Sequence, residues 1–343
     1  MNAVCSIRDW STVGSVRKYH VISSGRTKTL HGRKNSTRKS WKRGLLYLKD
    51  YCLIILSIQT SLIYEGKYME HKDQIKEYYS KSGTGEWERL VKDPYHQLEF
   101  ETTMHFLRKY LPGNGLILDA GGGPGRYTIE LAKLGYDVVL LDLTPELLEI
   151  AKRRIQKAGV QRNVKQIIEG SVDDLSDFES NSFDGVICLG GVLSHIVDKR
   201  QREKAIDEII RVAKKNAPIF ISVIGRLAVL VGQLIDFPED TKSRPDIFIK
   251  IRESGDYSGE LGFAPAHFYL PEELEEELEK KNVEMLEMVG LEGLASTHRR
   301  EVNDFYTNYQ EAWRIWWETH LKTCTHPSVV GISEHFMIIC KKT

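Results

Sequence analysis

The chain is poor in cysteine. Its 343 residues include five cysteines, and no two of them are spaced as C-x-x-C. An odd number without paired spacing argues against a disulfide framework and against a structural zinc site, and it favours a reducing compartment. We therefore expect a cytoplasmic protein without a metal site.

Long apolar runs are also missing. One apolar stretch covers residues 51–64, which is 14 residues. A transmembrane helix needs about 20 apolar residues to cross the hydrocarbon core of a bilayer. We therefore expect no stable insertion of this chain into a membrane.

The chain as a whole has no excess of positive or negative side chains, and its formal net charge is +0. The two parts nevertheless differ, because residues 1–68 hold 13 Lys and Arg against three Asp and Glu. Residues 69–343 therefore hold 35 basic and 45 acidic side chains. An acidic body binds nucleic acid poorly, since nonspecific affinity comes from neutralising phosphates. We expect no DNA partner.

Residues 1–68 form a basic N-terminal extension that we expect to be disordered or non-native. They are rich in Ser, Thr, Arg and Lys, and Met69 stands where the composition changes. One hypothesis is that the natural chain starts at Met69. Two alternatives are an organellar transit segment, which is typically Arg-rich and poor in acids, and a basic arm that acts in the mature protein.

If Met69 is the natural start, mass spectrometry of the native N-terminus should find no peptide from residues 1–68, because that segment would never be translated. Native peptides from this range would contradict the hypothesis.

From residue 69 onward, patterns typical of strands and helices alternate. Strands are predicted at residues 115–119, 137–142, 164–169, 183–189 and 219–224, with a closing pair at 285–289 and 336–340. This alternation predicts an α/β fold with a mostly parallel sheet, a terminal antiparallel strand and helices on both faces. We expect one domain over residues 69–343. Its core would cover about 95–225 and 268–343, and insertions at about 225–269 and 295–331 would form a helical cap.

Glycine is concentrated in a loop that directly follows the first predicted strand. The loop has the pattern D-x-G-x-G-x-G, formed by Asp119, Gly121, Gly123 and Gly125. A dinucleotide-binding loop requires G-x-G-x-x-G, and neither reading frame supplies its third glycine. No Gly-Lys-Ser/Thr follows, which also excludes the phosphate-binding loop of nucleoside triphosphatases.

Four segments in this order resemble the class I S-adenosylmethionine-dependent methyltransferases, with a closer likeness to the ubiquinone/menaquinone-type small-molecule branch. They are residues 119–125, 169–175, 181–191 and 268–274. The resemblance implies a Rossmann-like fold, S-adenosylmethionine as cofactor, and in-line methyl transfer to a small-molecule acceptor. It leaves the acceptor and the oligomeric state open.

The resemblance also implies the cofactor-binding residues. The glycine loop would lie under the amino-acid part of the cofactor, Asp142 would accept hydrogen bonds from the ribose hydroxyls, and the turn at Ser171 would meet the adenine. The family often has Asp at the position of Ser171, so this contact differs here. The full implied set is Asp119, Gly121, Gly123, Gly125, Arg126, Asp142, Leu143, Ser171, Val172, Leu189, Gly190 and Tyr79.

Two histidines are the candidate catalytic residues. His195 follows the fourth predicted strand, and His267 precedes the segment 268–274. Either could act as a base or contact the acceptor, although a general base is needed only when the nucleophile carries a proton. A structural role is the alternative for both. The aromatic residues of 305–317 either form the core of the cap or provide a wall for a flat substrate.

Two other functions stay open at this point. An RNA or protein methyltransferase could use residues 1–68 as a basic arm. A non-catalytic regulatory protein could bind S-adenosylmethionine without turnover.

Overall fold

The computed structural model describes residues 71–343 and the backbone of three strands near the N-terminus. These strands, β1 (Ser6–Val13), β2 (Val16–Ser23) and β3 (Arg26–Arg33), pair antiparallel in sequence order. Residues 1–67 and 68–343 are separate compact units. Met69 and the apolar segment 51–64 lie outside the described residues, so our expectations for the N-terminal extension stay predictions.

Strands of the larger unit build one central sheet and one short hairpin. In chain order they are β4 (Leu116–Ala120), β5 (Asp137–Asp142), β6 (Val164–Glu169), β7 (Gly185–Cys188), β8 (Pro218–Ile224), β9 (Asp256–Tyr257), β10 (Ala266–His267), β11 (Val283–Gly290) and β12 (His335–Lys342). The central sheet has the order β11-β12-β8-β7-β4-β5-β6 within residues 71–343, and β9 pairs with β10.

Strand direction in the central sheet confirms the predicted fold class. Strands β8, β7, β4, β5 and β6 pair in parallel. Strand β12 is antiparallel to both of its neighbours, β8 and β11. Strand β12 is therefore the last strand in the chain, but it is the second strand from the edge of the sheet.

Helices fill the connections between the strands. They are α1 (residues 71–88), α2 (Pro94–Tyr110), α3 (Arg126–Lys133), α4 (Pro145–Ala158), α5 (Lys199–Val212), α6 (Arg226–Ile235), α7 (Pro238–Ser243), α8 (Pro245–Ser254), α9 (Pro271–Glu279), α10 (Arg299–Asn308), α11 (Gln310–Thr323) and α12 (Pro327–Ile332). Six of these described helices begin with proline, whose fixed φ suits the first helical position. In the described part of the chain, no helix combines the length and apolar character that a membrane span requires.

The core has two layers because alternate residues of each central strand face opposite sides of the sheet. Ile117 and Leu140 belong to the layer that also contains buried residues of α2, α3 and α4. Leu118 and Val139 belong to the layer formed with α5 and α9. Burial on both faces is typical of parallel strands covered by helices, and it explains the continuous apolar runs in the sequence.

Gly225 marks the point where the chain leaves β8 and enters α6. Its N–H donates a hydrogen bond to the carbonyl oxygen of Glu334 at 2.8 Å. A Cβ at this position would lie 2.2 Å from the carbonyl oxygen of Ser333. Glycine therefore allows the start of α6 to pack against the backbone before β12.

Substitution of this glycine should destabilise the fold. We expect Gly225→Ala to lower the free energy of unfolding by about 1–3 kcal/mol, because the clash is with backbone that cannot rotate away. Urea denaturation measures the change. Gly113→Ala is the matched control, since a Cβ there meets nothing within 4 Å among the described residues. Equal midpoints for the two variants would contradict the expected effect.

Candidate active site

The glycine loop is held in a conformation that other residues rarely adopt. Gly121, Gly123 and Gly125 have φ values of +84°, +52° and +81°, all in the left-handed region that favours glycine. A Cβ on Gly121 would lie 2.4 Å from the side chain of Val192. The loop therefore presents bare backbone to the cavity that it borders.

Asp142 joins this loop to the loop that follows β5. Its buried carboxylate accepts hydrogen bonds from the N–H of Gly123 and the N–H of Thr144, each at 2.8 Å. Burial raises the pKa of Asp142 to about 6, while these two hydrogen bonds oppose the shift. Each carboxylate oxygen keeps acceptor capacity for a ligand hydroxyl.

Asp119 lies deeper in the same cavity. Its carboxylate accepts a hydrogen bond from the hydroxyl of Thr128 at 2.6 Å. Burial raises the pKa of Asp119 to about 7. A cationic ligand group at this position would favour the charged carboxylate.

Most of the predicted site residues lie together. Those that line the cavity are Tyr79, Asp119, Gly121, Gly123, Arg126, Asp142, Leu143, Ser171, Val172, Leu189, Gly190 and His195. Gly125 belongs to the loop but packs beside α4, where an added Cβ would lie 3.2 Å from Ala151.

His267, the other candidate catalytic residue, lines neither the cavity beside the glycine loop nor the one that adjoins it. It is on β10, and its Nδ1 lies 2.7 Å from a carboxylate oxygen of Asp256 on β9. Its ring also packs edge-on against Tyr269. This hydrogen bond across the hairpin accounts for the position of His267, and we interpret the residue as part of the scaffold.

The side chain of Arg126 contacts Trp87 of α1. Its guanidinium donates to the carbonyl oxygen of Trp87 at 3.1 Å and 2.5 Å, and it lies 4.0 Å from the centroid of the Trp87 ring. These contacts fix the end of α1 over the glycine loop. Arg126 therefore positions the wall of the cavity while it also borders it.

The turn after β6 holds the other end of α1. Lys72 lies 2.8 Å from a carboxylate oxygen of Asp173, and Lys76 lies 3.0 Å from Glu169. The hydroxyl of Ser171 also donates to Asp173. The serine that replaces the family's aspartate is therefore bound to a neighbouring carboxylate.

Tyr79 and His195 form a hydrogen-bonded pair. The Nδ1 of His195 lies 3.0 Å from the carbonyl oxygen of Pro265, so this nitrogen carries the proton. Its Nε2 lies 2.7 Å from the hydroxyl oxygen of Tyr79 and therefore accepts the tyrosine proton. Burial lowers the pKa of His195 and raises the pKa of Tyr79. Both side chains are consequently neutral near pH 7.

A second cavity of about 760 Å³ adjoins the first. The walls that the two cavities share are Tyr79, Glu86, Arg89, Gly190 and His195. The insertion 225–269 supplies much of the remaining wall, including residues of α6 and α8. The Tyr79–His195 pair therefore lies at the junction of the cavity beside the glycine loop and a larger space that could hold a second molecule.

A network of ion pairs in which Glu99 and Glu292 are buried borders the second cavity. Arg89 donates to Glu99 at 2.5 Å and to Glu86 at 2.9 Å. His335 lies 2.8 Å from Glu292. Burial alone would lower the pKa of His335, but the carboxylates of Glu99 and Glu292 raise it to about 9. No local motif marks these residues, because they come from α1 and the turn after it, from α2, from β12 and from the segment after β11.

Part of this network has the spacing of a metal site. Ligand atoms of Glu99, Glu292 and His335 lie within 4.8 Å of one another. In this arrangement Glu99 pairs with Arg89 and Glu292 pairs with His335. We therefore interpret the group as ion pairs.

The aromatic residues of 305–317 lie outside both cavities. Trp313, Trp316 and Trp317 are half-buried and pack against the cluster that contains Tyr95 and Leu98 of α2. This placement favours the packing role over the substrate wall.

The first cavity fits S-adenosylmethionine. Its floor is glycine backbone without Cβ atoms, and Asp142 offers fixed acceptors for hydroxyl groups. Leu143, Leu147 and Val172 provide apolar surface in the same cavity, which suits a heterocyclic base.

Loss of the Asp142 carboxylate should weaken cofactor binding. We expect Asp142→Ala to raise the Kd of S-adenosylhomocysteine at least tenfold, since charge-assisted hydrogen bonds contribute about 1.5–3 kcal/mol each. Isothermal titration calorimetry measures this Kd. Asp137→Ala on the same strand is the control, because its carboxylate is exposed and pairs with Lys165. Tight binding of NAD to the unaltered chain would overturn the cofactor assignment.

Comparisons with known proteins agree with this geometry. A family model described as a methyltransferase domain matches residues 117–216. A ubiquinone biosynthesis O-methyltransferase of Xanthomonas axonopodis pv. citri (strain 306) is 30% identical over 168 residues, 47% of this chain and 67% of the relative. A glycine/sarcosine N-methyltransferase of Parasynechococcus marenigrum (strain WH8102) is 30% identical over 153 residues, 43% of this chain and 51% of the relative.

Another relative matches a longer part of this chain at lower sequence identity. A magnesium-protoporphyrin O-methyltransferase of Rhodobacter capsulatus is 25% identical over 230 residues, 61% of this chain and 97% of the relative. The chain spans about half to two thirds of the length of the first curated relatives it matches. The central sheet, the glycine loop and the cofactor cavity of this chain have the arrangement that is typical of the family. The chain therefore belongs to the class I S-adenosylmethionine-dependent methyltransferases.

Proposed function

We propose that this chain transfers a methyl group from S-adenosylmethionine to a hydroxyl group of a small molecule bound in the second cavity. The observation that carries the proposal is the Tyr79–His195 pair, which borders both cavities. A cavity of about 760 Å³ is within the range of small-molecule sites. Proximity and alignment at such a junction can contribute about 7–11 kcal/mol to catalysis.

The chain's residues would hold the cofactor in the first cavity. Asp142 would accept the ribose hydroxyls, and the backbone at Gly121 and Gly123 would lie under the amino-acid part. Asp119 would face the ammonium group, while Leu143 and Val172 would enclose the adenine. When bound, S-adenosylmethionine supplies an electrophilic methyl group and leaves as a neutral thioether.

Tyr79 and His195 would remove the proton from the acceptor. As the bond between the acceptor oxygen and the methyl carbon forms, the hydroxyl proton passes to the oxygen of Tyr79. The tyrosine proton passes to Nε2 of His195, while the Nδ1–H of His195 keeps its hydrogen bond to the carbonyl oxygen of Pro265. The resulting imidazolium then releases a proton to solvent. His195 therefore serves as the base, and Tyr79 connects it to the acceptor.

Two observations favour oxygen as the acceptor atom. Two of the relatives are named as O-methyltransferases. A hydroxyl is protonated at neutral pH and needs a base, which the neutral His195 can provide. The name of the N-methyltransferase relative makes nitrogen the alternative.

Three expectations from the sequence belong to the same proposal. The cysteine pattern favours the cytoplasm, and the acidic body makes DNA an unsuitable partner. The domain division assigns residues 69–343 to the methyltransferase and gives the insertions 225–269 and 295–331 the role of a helical cap.

Removal of the Tyr79 hydroxyl should slow the reaction without loss of the cofactor. We expect Tyr79→Phe to lower kcat about 100-fold or more, the usual contribution of a positioned acid or base, and to leave the Kd of S-adenosylhomocysteine unchanged. Transfer of labelled methyl from S-adenosylmethionine to cell metabolites measures the rate. His195→Gln should show a similar loss.

Tyr309→Phe is the matched control, because Tyr309 is 61% exposed and lines neither cavity. An unchanged kcat in Tyr79→Phe would rule out the proposed route for the proton.

A further inference from the structure

Helix α6 has two faces with different surroundings. Its inner face contributes Ala228 and Gly232 to the wall of the second cavity, and both residues are buried. Its outer face consists of apolar residues that are each more than a third exposed, namely Leu227, Val231, Leu234 and Ile235. These positions are spaced as i, i+4, i+7 and i+8, so they lie along one side of the helix. We call these four residues the apolar stripe.

The exposure of the apolar stripe is unusual for a helix in the cap. Leu234 is 83% exposed and Ile235 is 56% exposed, whereas an amphipathic helix normally directs its apolar side toward the core. Residues 227–235 include no charged side chain, so the outer face has no charged group that would favour contact with water. A contiguous exposed apolar face typically marks an interaction surface.

A neighbouring helix extends this apolar surface. Ile332, the last residue of α12, is 45% exposed. It directly precedes Ser333, whose carbonyl oxygen lies against Gly225 at the start of α6. Helix α12 packs beside α6, and Ile332 therefore adjoins the stripe near its first residue.

The exposed area is sufficient for a contact between two identical chains. Because a fully exposed leucine or isoleucine presents about 200 Å², the stripe and Ile332 expose about 500 Å² in each chain, and a two-fold contact would bury about 1,000 Å² before its rim is counted. That value reaches the lower limit of about 1,000 Å² for a specific interface between proteins. The area thus favours a partner that brings an equal apolar surface.

The charge of the chain favours a second copy over a lipid membrane. Residues 69–343 hold 45 acidic and 35 basic side chains, so two copies repel each other where their charged surfaces meet. The uncharged stripe allows contact without this repulsion. The insertion 225–269 holds five Lys and Arg against seven Asp and Glu, whereas attraction to an anionic membrane surface requires an excess of basic residues.

We infer that the apolar stripe of α6 binds the same stripe of a second copy of this chain. In a two-fold contact with antiparallel helices, the residues of one stripe meet those of the other in reverse order. Val231 is at the middle of the stripe and would meet the partner's Val231, while Leu227 would meet the partner's Ile235. The contact would support the α6 wall of the second cavity from outside, and it does not depend on the reaction proposed above.

Sedimentation equilibrium of the full chain, at concentrations from about 1 to 100 µM, tests for the second copy. We expect the mass to rise toward twice the chain mass of 39.3 kDa. Leu234→Asp should keep the mass of one chain over the whole range, because it would bury an unpaired carboxylate in the contact. Ile315→Asp on α11 is the matched control, since Ile315 is 70% exposed and lies outside the stripe, and this variant should still form dimers.

Site-specific cross-linking checks the geometry of the contact. Val231→Cys should form a disulfide-linked pair of chains under mild oxidation, because the two copies of this residue would face each other across the two-fold axis. Ile315→Cys should give no such increase over the unaltered chain. The Kd of S-adenosylhomocysteine should be the same in all variants, which shows that the fold is intact.

Three results would overturn the inference. The first is an unaltered chain that keeps the mass of one chain at every concentration. The second is a dimer that persists in Leu234→Asp, because another surface would then hold the copies together. The third is a single chain that binds vesicles of phosphatidylcholine and phosphatidylglycerol and loses this binding in Leu234→Asp, since the stripe would then be a membrane surface.

Discussion

The site depends on one buried carboxylate. Gly123 follows β4 and Thr144 follows β5, and these neighbouring parallel strands end at the same edge of the sheet. Asp142 accepts a hydrogen bond from each, so its carboxylate sets the distance between the two loops that bound the cofactor cavity. Burial disfavours the charged form of this carboxylate. A buried carboxylate stays charged only when hydrogen bonds compensate for its lost hydration. The same group can then bind the ligand without reorganisation.

Helix α1 is anchored at the same edge of the sheet and supplies a residue to the site. Ion pairs to the turn after β6 hold one end of the helix, and the contacts between Arg126 and Trp87 hold the other. Between these anchors, Tyr79 reaches His195. In the proposed reaction, the helix that borders the cofactor cavity therefore also supplies the first proton acceptor.

Strands of the central sheet were predictable where burial produces a continuous apolar run. The predicted strands 137–142 and 164–169 match β5 and β6 to the residue. The predicted strand 183–189 is shorter in the structure, because Phe183 forms only an isolated bridge with Ala213. Thr144 precedes α4, but its side chain makes no cap hydrogen bond in the described part of the chain. Pairing partners and caps depend on the neighbouring backbone, which a local pattern does not contain.

By itself, the sequence determined the fold class, the glycine loop and the position of Asp142, because each follows from short segments whose spacing reflects local backbone geometry. It also predicted that His195 directly follows a strand, and the structure has His195 beside the cofactor cavity. Only the tertiary structure showed that His267 pairs with Asp256 and that Arg89 and His335 border the acceptor cavity. These contacts join residues distant in the chain, and their geometry is fixed by how the cap and α1 pack on the sheet.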